Sequence, residues 1–121
     1  MKEIKSAMSQ NKIRGAIGET AVTTYLENEG YTIIENNYKN KIGEIDIIAK
    51  DKSERIIFIE VKARSTAKFG YPREAVTKTK QNKIKLVAQT YLKLTRQTKA
   101  YIRFDVIEIL NGKITHIKNA F

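Results

Sequence analysis

Residues 43 to 62 read GEIDIIAKDKSERIIFIEVK, and they carry charge where two apolar strands should have none. Glu44 and Asp46 bracket the start of one apolar run, Ile45 to Ala49, while Glu60 and Lys62 mark the end of a second, Ile56 to Val61. Strand side chains alternate between faces, so Glu44 and Asp46 project together, and Glu60 and Lys62 share a face of the next strand. Three acids and a lysine can thus converge. Ionised carboxylates in an apolar sheet are costly unless they are paired or bound to a metal. The set suits phosphodiester hydrolysis. Asp46 and Glu60 would supply oxygen ligands to one or two Mg²⁺ or Mn²⁺ ions, with the Val61 backbone carbonyl as a third ligand. Lys62 would orient the attacking water or neutralise charge building on the phosphate. An E-x-K alone on a strand is more often a cross-strand ion pair. Here it is joined by an acid on the preceding strand, by Gly18-Glu19 in an amphipathic N-terminal segment, and by a strongly basic stretch that follows.

The elements that must position these residues are legible as periodicity. Residues 1 to 10 are polar and unpatterned and are expected to fray. From Asn11 to Glu29, Ile13, Ile17, Ala21, Val22, Tyr25 and Leu26 recur at helical spacing, and Gly30 is placed to cap the helix. Glu19 lies near the edge of that apolar face. Tyr31 to Glu35 is predicted as a short strand, and Asn36 to Lys41 as a turn-rich, basic connection. The two charged strands flank a turn at Lys50 to Arg55. After Lys62, ARSTAKFGYPREA has no period and holds the only proline, so it is expected to form a loop beside the acids. A second helix is predicted from Val76 to Thr95 on the stripe Ile84, Val87, Ala88, Tyr91 and Leu92. Lys78, Lys83, Lys85 and Lys93 fall mostly around its solvent side. Lys80 lies one turn before Ile84, so its ammonium is expected to reach toward the carboxylates. Ala100 to Leu110 alternates like a strand, Asn111-Gly112 signals a hairpin, and Lys113 to Lys118 returns. The order α-β-β-β-α-β-β implies an α/β fold with a mixed sheet and two helices. At 121 residues the chain is long enough for one core and too short for two.

Composition narrows the chemistry further. Cysteine is absent, which removes disulfides, thiolate nucleophiles and thiolate-bound zinc. The single histidine, His116, is expected at the surface, and a catalytic triad built on it is not indicated. No run approaches the roughly 18 apolar residues of a membrane span, and the first residues have no apolar signal region, so the expected setting is the cytoplasm. The formal net charge of +10 is unevenly spread. Between Lys62 and Arg103 there are twelve Lys/Arg against one acid, Glu74, and the rest of the chain is almost neutral. Such segregation is the footprint of a polyanion partner, because counterion release rewards clustered cations, and the pI of 9.8 agrees. The candidate nucleic-acid contacts are Arg64, Lys68, Arg73, Lys78, Lys80, Lys83 and Lys85. Phe69 and Tyr71 either stack on bases or pin their loop. Arg103 and Asp105 share a strand face and are expected to pair. Glu44 reads equally as a supporting acid and as a surface partner of Lys39 or Lys41.

The pattern Glu19, Asp46, Glu60-Val61-Lys62 resembles the PD-(D/E)xK nuclease superfamily in the arrangement of archaeal Holliday-junction resolvases. RGAIGETA, GEIDIIAKD, IIFIEVKAR, FGYPREAV and the final HIKNAF resemble the YraN-like family of small bacterial endonuclease-like proteins, from about Arg14 to Phe121. The resemblance implies a restriction-endonuclease-like αβββαβ core in one domain. It also implies Asp46, Glu60 and Lys62 as the catalytic set, with Glu19 as an additional metal-side acid. Ile45 stands where the superfamily name places proline. The expectation is therefore a Mg²⁺- or Mn²⁺-dependent endonuclease acting on DNA ahead of RNA, at branched or distorted sites, since no sequence-reading motif is present. A homodimer would allow both strands of a junction to be cut. The alternative is a non-catalytic nucleic-acid-binding accessory on the same fold. A protein-interaction adaptor would not need four ionisable groups converging in an apolar sheet.

Overall fold

The computed structural model describes residues 20–64 and 76–121. A helix over residues 20–28, α1, ends where Gly30 adopts φ +95°, and the Tyr31 N–H reaches back to the Leu26 carbonyl at 2.9 Å. Five strands follow, β1 (Thr32–Lys39), β2 (Glu44–Lys50), β3 (Ile56–Arg64), β4 (Ile102–Leu110) and β5 (Lys113–Ile117), with helix α2 (Lys78–Leu94) between β3 and β4. They form one sheet in the order β1-β2-β3-β4-β5. The first three strands are an antiparallel meander, and β4 and β5 form an antiparallel hairpin. Among the described strands only β3 and β4 are parallel. Parallel neighbours need a long crossover, and α2 supplies it.

Alternation along β3 assigns the two faces. Ile56 and Phe58 join Ile84, Val87, Tyr91 and Leu92 of α2, whereas Ile57 and Ile59 join Val22 and Leu26 of α1. The sheet is thus covered by a helix on each side, as expected for this α/β class, and the buried stripe of α2 is the predicted one. Asn111 and Gly112 both take positive φ, +51° and +82°, which is the turn that matches the twist of a two-residue hairpin. No helix among the described residues is long and apolar enough to cross a membrane.

Two elements differ from what the sequence pattern predicts. The segment Asn36 to Lys39, predicted as a turn-rich connection, belongs to β1: Asn36 pairs with Ile47, Tyr38 with Ile45 and Lys39 with Glu44. A bulge between Ile33 and Glu35 resets the register, and Tyr38 packs edge-on against Tyr91 of α2 at 5.1 Å, so tertiary pairing overrides weak local propensity. The true turn is residues 40–43, where the Asn40 side-chain oxygen accepts the Ile42 and Gly43 N–H groups. Second, β3 runs through Arg64 rather than giving way to a loop after Lys62, because β4 continues to pair with it as far as Leu110.

Candidate metal and nucleic-acid site

The β2–β3 ladder stops at the Ile47–Ile59 pair, one residue short of Asp46 and Glu60. Beyond it the Asp46 carboxylate takes over: its Oδ2 accepts the Val61 N–H at 2.8 Å, standing in for a backbone partner. The N–H and carbonyl of one strand residue point toward the same neighbour. The Val61 carbonyl therefore also faces the gap where β2 has parted from β3. This local fraying of an otherwise continuous ladder sets a side-chain carboxylate among exposed backbone groups at the sheet's end.

Glu60 is only 5% exposed and lies on the α2 face. Two ammonium groups approach it from different elements: Lys80 Nζ of α2 at 3.0 Å from Oε2, and Lys62 Nζ of β3 at 3.9 Å. Burial, and then the charge of Asp46, push the Glu60 carboxyl up to about 7 despite both lysines. Burial likewise raises Asp46, against the pull of the Val61 N–H, a hydrogen bond with Glu60 and the Lys80 charge, while Glu44 adds to the rise. The two acids share too little positive charge to ionise freely together. For Lys80, burial favours the neutral amine, but Glu60, Asp46 and Glu44 outweigh it and its pKa is raised. Beside the acids, a cleft of about 270 Å³ is lined by Ile42, Gly43, Glu44, Lys80, Lys83 and Ile84.

The donor chemistry suits a hard divalent cation. Mg²⁺ is commonly held by one or two carboxylates, with waters and substrate phosphates completing its shell, and Asp46, Glu60 and the Val61 carbonyl are oxygen donors of that kind. Among the described residues no group of three or more Asp, Glu, His or Cys is placed to hold a metal. Glu19 lies outside the described residues, as do Lys68, Phe69, Tyr71 and Arg73.

The remaining sequence-derived candidates fall into place unevenly. Lys78 and Lys83 are exposed on the N-terminal half of α2. Lys85 is half-buried, its ammonium about 6 Å from the ring centroids of both Phe104 and Phe121, so it does not project from the solvent side as expected. Arg64, expected in the loop, ends β3, and its guanidinium pairs with the buried Glu108 of β4. That acid was missed in the sequence, where its only signal is a charge inside the apolar run IRFDVIEIL. Glu44 is exposed and pairs with Lys39 at 3.6 Å. His116, expected at the surface, has a side chain only 5% exposed. Its Nε2 lies 2.7 Å from Asp105 and its Nδ1 3.0 Å from the Tyr25 hydroxyl. A single histidine on a short terminal strand gives no sequence signal of that burial.

Residues 18–109 match the uncharacterised protein family UPF0102. A UPF0102 protein of Clostridium botulinum (strain Loch Maree / Type A3) is 50% identical over 118 residues, covering 92% of this chain and 95% of that one. One from Clostridioides difficile (strain 630) is 51% identical over 113 residues, covering 92% and 98%. Among solved structures, a repair endonuclease from Pyrococcus abyssi superposes with a TM-score of 0.48 at 16% identity, over 89% of this chain and 41% of that one.

Proposed function

We propose that this chain, which belongs to the family UPF0102, is a divalent-metal-dependent nuclease acting on DNA, with branched or distorted duplexes as its substrate. The observation that carries the reading is the Asp46–Glu60 pair: a half-buried and a buried acid, both with raised pKa, at the point where β2 and β3 part and beside a cleft bordered by Lys80 and Lys83. An acid pair that serves only the fold would be saturated with donors, and a perturbed pair in a cleft is the commoner sign of function.

In this reading Asp46, Glu60 and the Val61 carbonyl hold Mg²⁺ or Mn²⁺, with Glu19 as a further acid on the metal side. The cation, when bound, supplies Lewis-acid polarisation of the scissile phosphate. Lys62, whose ammonium lies 3.9 Å from Glu60, orients the attacking water or offsets charge growing on the phosphate oxygens. Lys78 and Lys83 on the exposed face of α2 contact flanking phosphates, and Lys68 and Arg73, outside the described residues, are further candidate phosphate contacts. The sequence holds no base-reading motif, so in this reading selection rests on backbone shape and charge.

The test is cleavage of duplex, single-stranded, flap and four-way-junction DNA in Mg²⁺ or Mn²⁺, with Glu60→Gln alongside the parent. Cutting is expected for the parent, falling at least about 100-fold in the variant with DNA binding retained. Binding without cutting by the parent on any substrate would favour the accessory alternative, and equal cutting by Glu60→Gln would remove this site from the mechanism.

A further inference from the structure

The helix lysine approaches the buried acid more closely than the lysine of the E-x-K segment does. Lys80 Nζ stands 3.0 Å from Glu60 Oε2, within hydrogen-bond range, while Lys62 is at 3.9 Å. Its position is set from the backbone: Thr77 caps α2 by accepting the Lys80 N–H, which fixes Lys80 in the first turn of the helix. That placement is unfavourable for the helix itself. A helix N-terminus prefers anions, yet the first turn of α2 has no acid and carries Lys78 and Lys80. The side chain is 46% exposed and borders the 270 Å³ cleft, so the ammonium has somewhere to go. Lys83 across that cleft has less freedom, because its stem packs against the bare backbone of Gly43, where an added Cβ would come within 3.2 Å of it.

Resting on the nuclease reading above, we infer that Lys80 is the resident counter-cation of the site, an ammonium that neutralises Glu60 until a divalent cation displaces it. One carboxylate cannot be fully held by both at once, so the two cations compete, and any gain in Lys80 pairing is a loss in metal affinity by the same factor. Lys80 supplies the nearest positive charge that Glu60 has in the free protein. It also sets the metal affinity lower than the bare acids would.

The experiment is calorimetric titration of Mn²⁺ into the full chain without DNA, at a pH above the Glu60 value, for the parent, Lys80→Gln, Lys80→Arg and Lys83→Gln, with melting curves in EDTA and in Mn²⁺. Lys80→Gln should bind Mn²⁺ about tenfold more tightly, within the roughly 5- to 150-fold range of such couplings. It should melt lower than the parent in EDTA and show a larger Mn²⁺-induced rise. Lys80→Arg, whose fork grips a carboxylate with two hydrogen bonds, should bind Mn²⁺ more weakly than the parent, which keeps the test alive if the Gln variant does not fold. Lys83→Gln should change Mn²⁺ affinity little. Equal Mn²⁺ affinity in the parent and Lys80→Gln would overturn the assignment, as would an equal drop in melting temperature with and without Mn²⁺, or no Mn²⁺ binding by any variant. Cleavage by the parent without this pattern would sink the role of Lys80 alone, whereas the pattern without cleavage would sink the nuclease reading alone.

Discussion

Asp105 and the Asp46–Glu60 pair lie on opposite sides of the same sheet, and they are compensated to very different degrees. Asp105 is fully buried and accepts from every side. Arg103 grips both carboxylate oxygens at 2.8 Å, His116 Nε2 lies at 2.7 Å, and the Asn119 N–H donates at 2.9 Å. Burial alone would raise its pKa, but His116, Arg103 and Asn119 outweigh that and hold it below the usual carboxylate range. Arg103 continues the network to the Tyr31 hydroxyl at 2.9 Å, and His116 to Tyr25. One carboxylate thereby ties α1, the start of β1, β4, β5 and the C-terminal turn together. On the other face two acids share the Val61 N–H, one close lysine and one distant one, and both carboxyls are pushed up. A saturated buried acid belongs to the fold. The pair at the frayed ladder is held with its carboxyls pushed up, which is why the proposed function attaches to Asp46 and Glu60 and not to the more deeply buried Asp105.

Neutralising one acid on each face should separate the two clusters most strongly. Asp105→Asn leaves Arg103 without its bidentate partner and His116 with a poorer one, and should cost about 3 to 5 kcal/mol in urea denaturation, the usual range for breaking a buried pair from one side. Glu60→Gln in EDTA should be neutral or stabilising, since it relieves a crowded pair. A Glu60→Gln variant destabilised as strongly as Asp105→Asn would mean that both clusters are structural.

The pH dependence sharpens the contrast because the two shifts have opposite sign. Glu60 ordinarily titrates near 4.5, and in the folded protein it titrates at about 7. Between those values the unfolded chain has lost a proton that the folded chain keeps, so stability falls as pH rises through that window. Relative to the parent in EDTA, Glu60→Gln should gain up to about 3 kcal/mol by the top of the window and converge with it at the bottom. Asp105, with its folded pKa depressed below 3.8, contributes stability that is present above that ordinary value and lost as pH falls through the depressed one. The Asp105→Asn deficit should therefore shrink only in acid. Parallel pH profiles for the two variants would erase the distinction.

The smallest expected effect lies in the surrounding charge. Lys78→Gln and Lys83→Gln, on the exposed face of α2, should each flatten the log–log salt dependence of DNA binding by about 0.9 if each meets one phosphate. Lys118→Gln, which borders Arg103 on the Asp105 side, should leave the slope unchanged, and Lys85→Gln should change it less than Lys83→Gln because its ammonium rests over Phe104 and Phe121. Equal slopes for Lys83→Gln and Lys118→Gln would show that α2 is not the face that meets the backbone.

Local patterns in the sequence determined the apolar runs of β2 and β3, the Ile84-to-Leu92 stripe of α2, the cap at Gly30 and the Asn111-Gly112 hairpin, since each depends on residues within a turn or two of one another. The coexistence of Asp46, Glu60, Lys62 and Lys80 at one end of the sheet was legible for the same reason: alternation and helical period fix which way each side chain points, and a buried strand leaves charge conspicuous. What the tertiary structure alone decided was how each charge is answered. Asn36 to Lys39 became strand because β2 lay alongside, Arg64 turned inward because Glu108 arrived on the parallel neighbour, and His116 was buried because Tyr25 and Asp105 came from distant elements to meet it. Compensation of a buried charge is a sum over every group within a few ångströms, and those neighbours are distant in sequence, so the step from a carboxylate in a strand to a saturated or an unsaturated one is made only when the chain has folded.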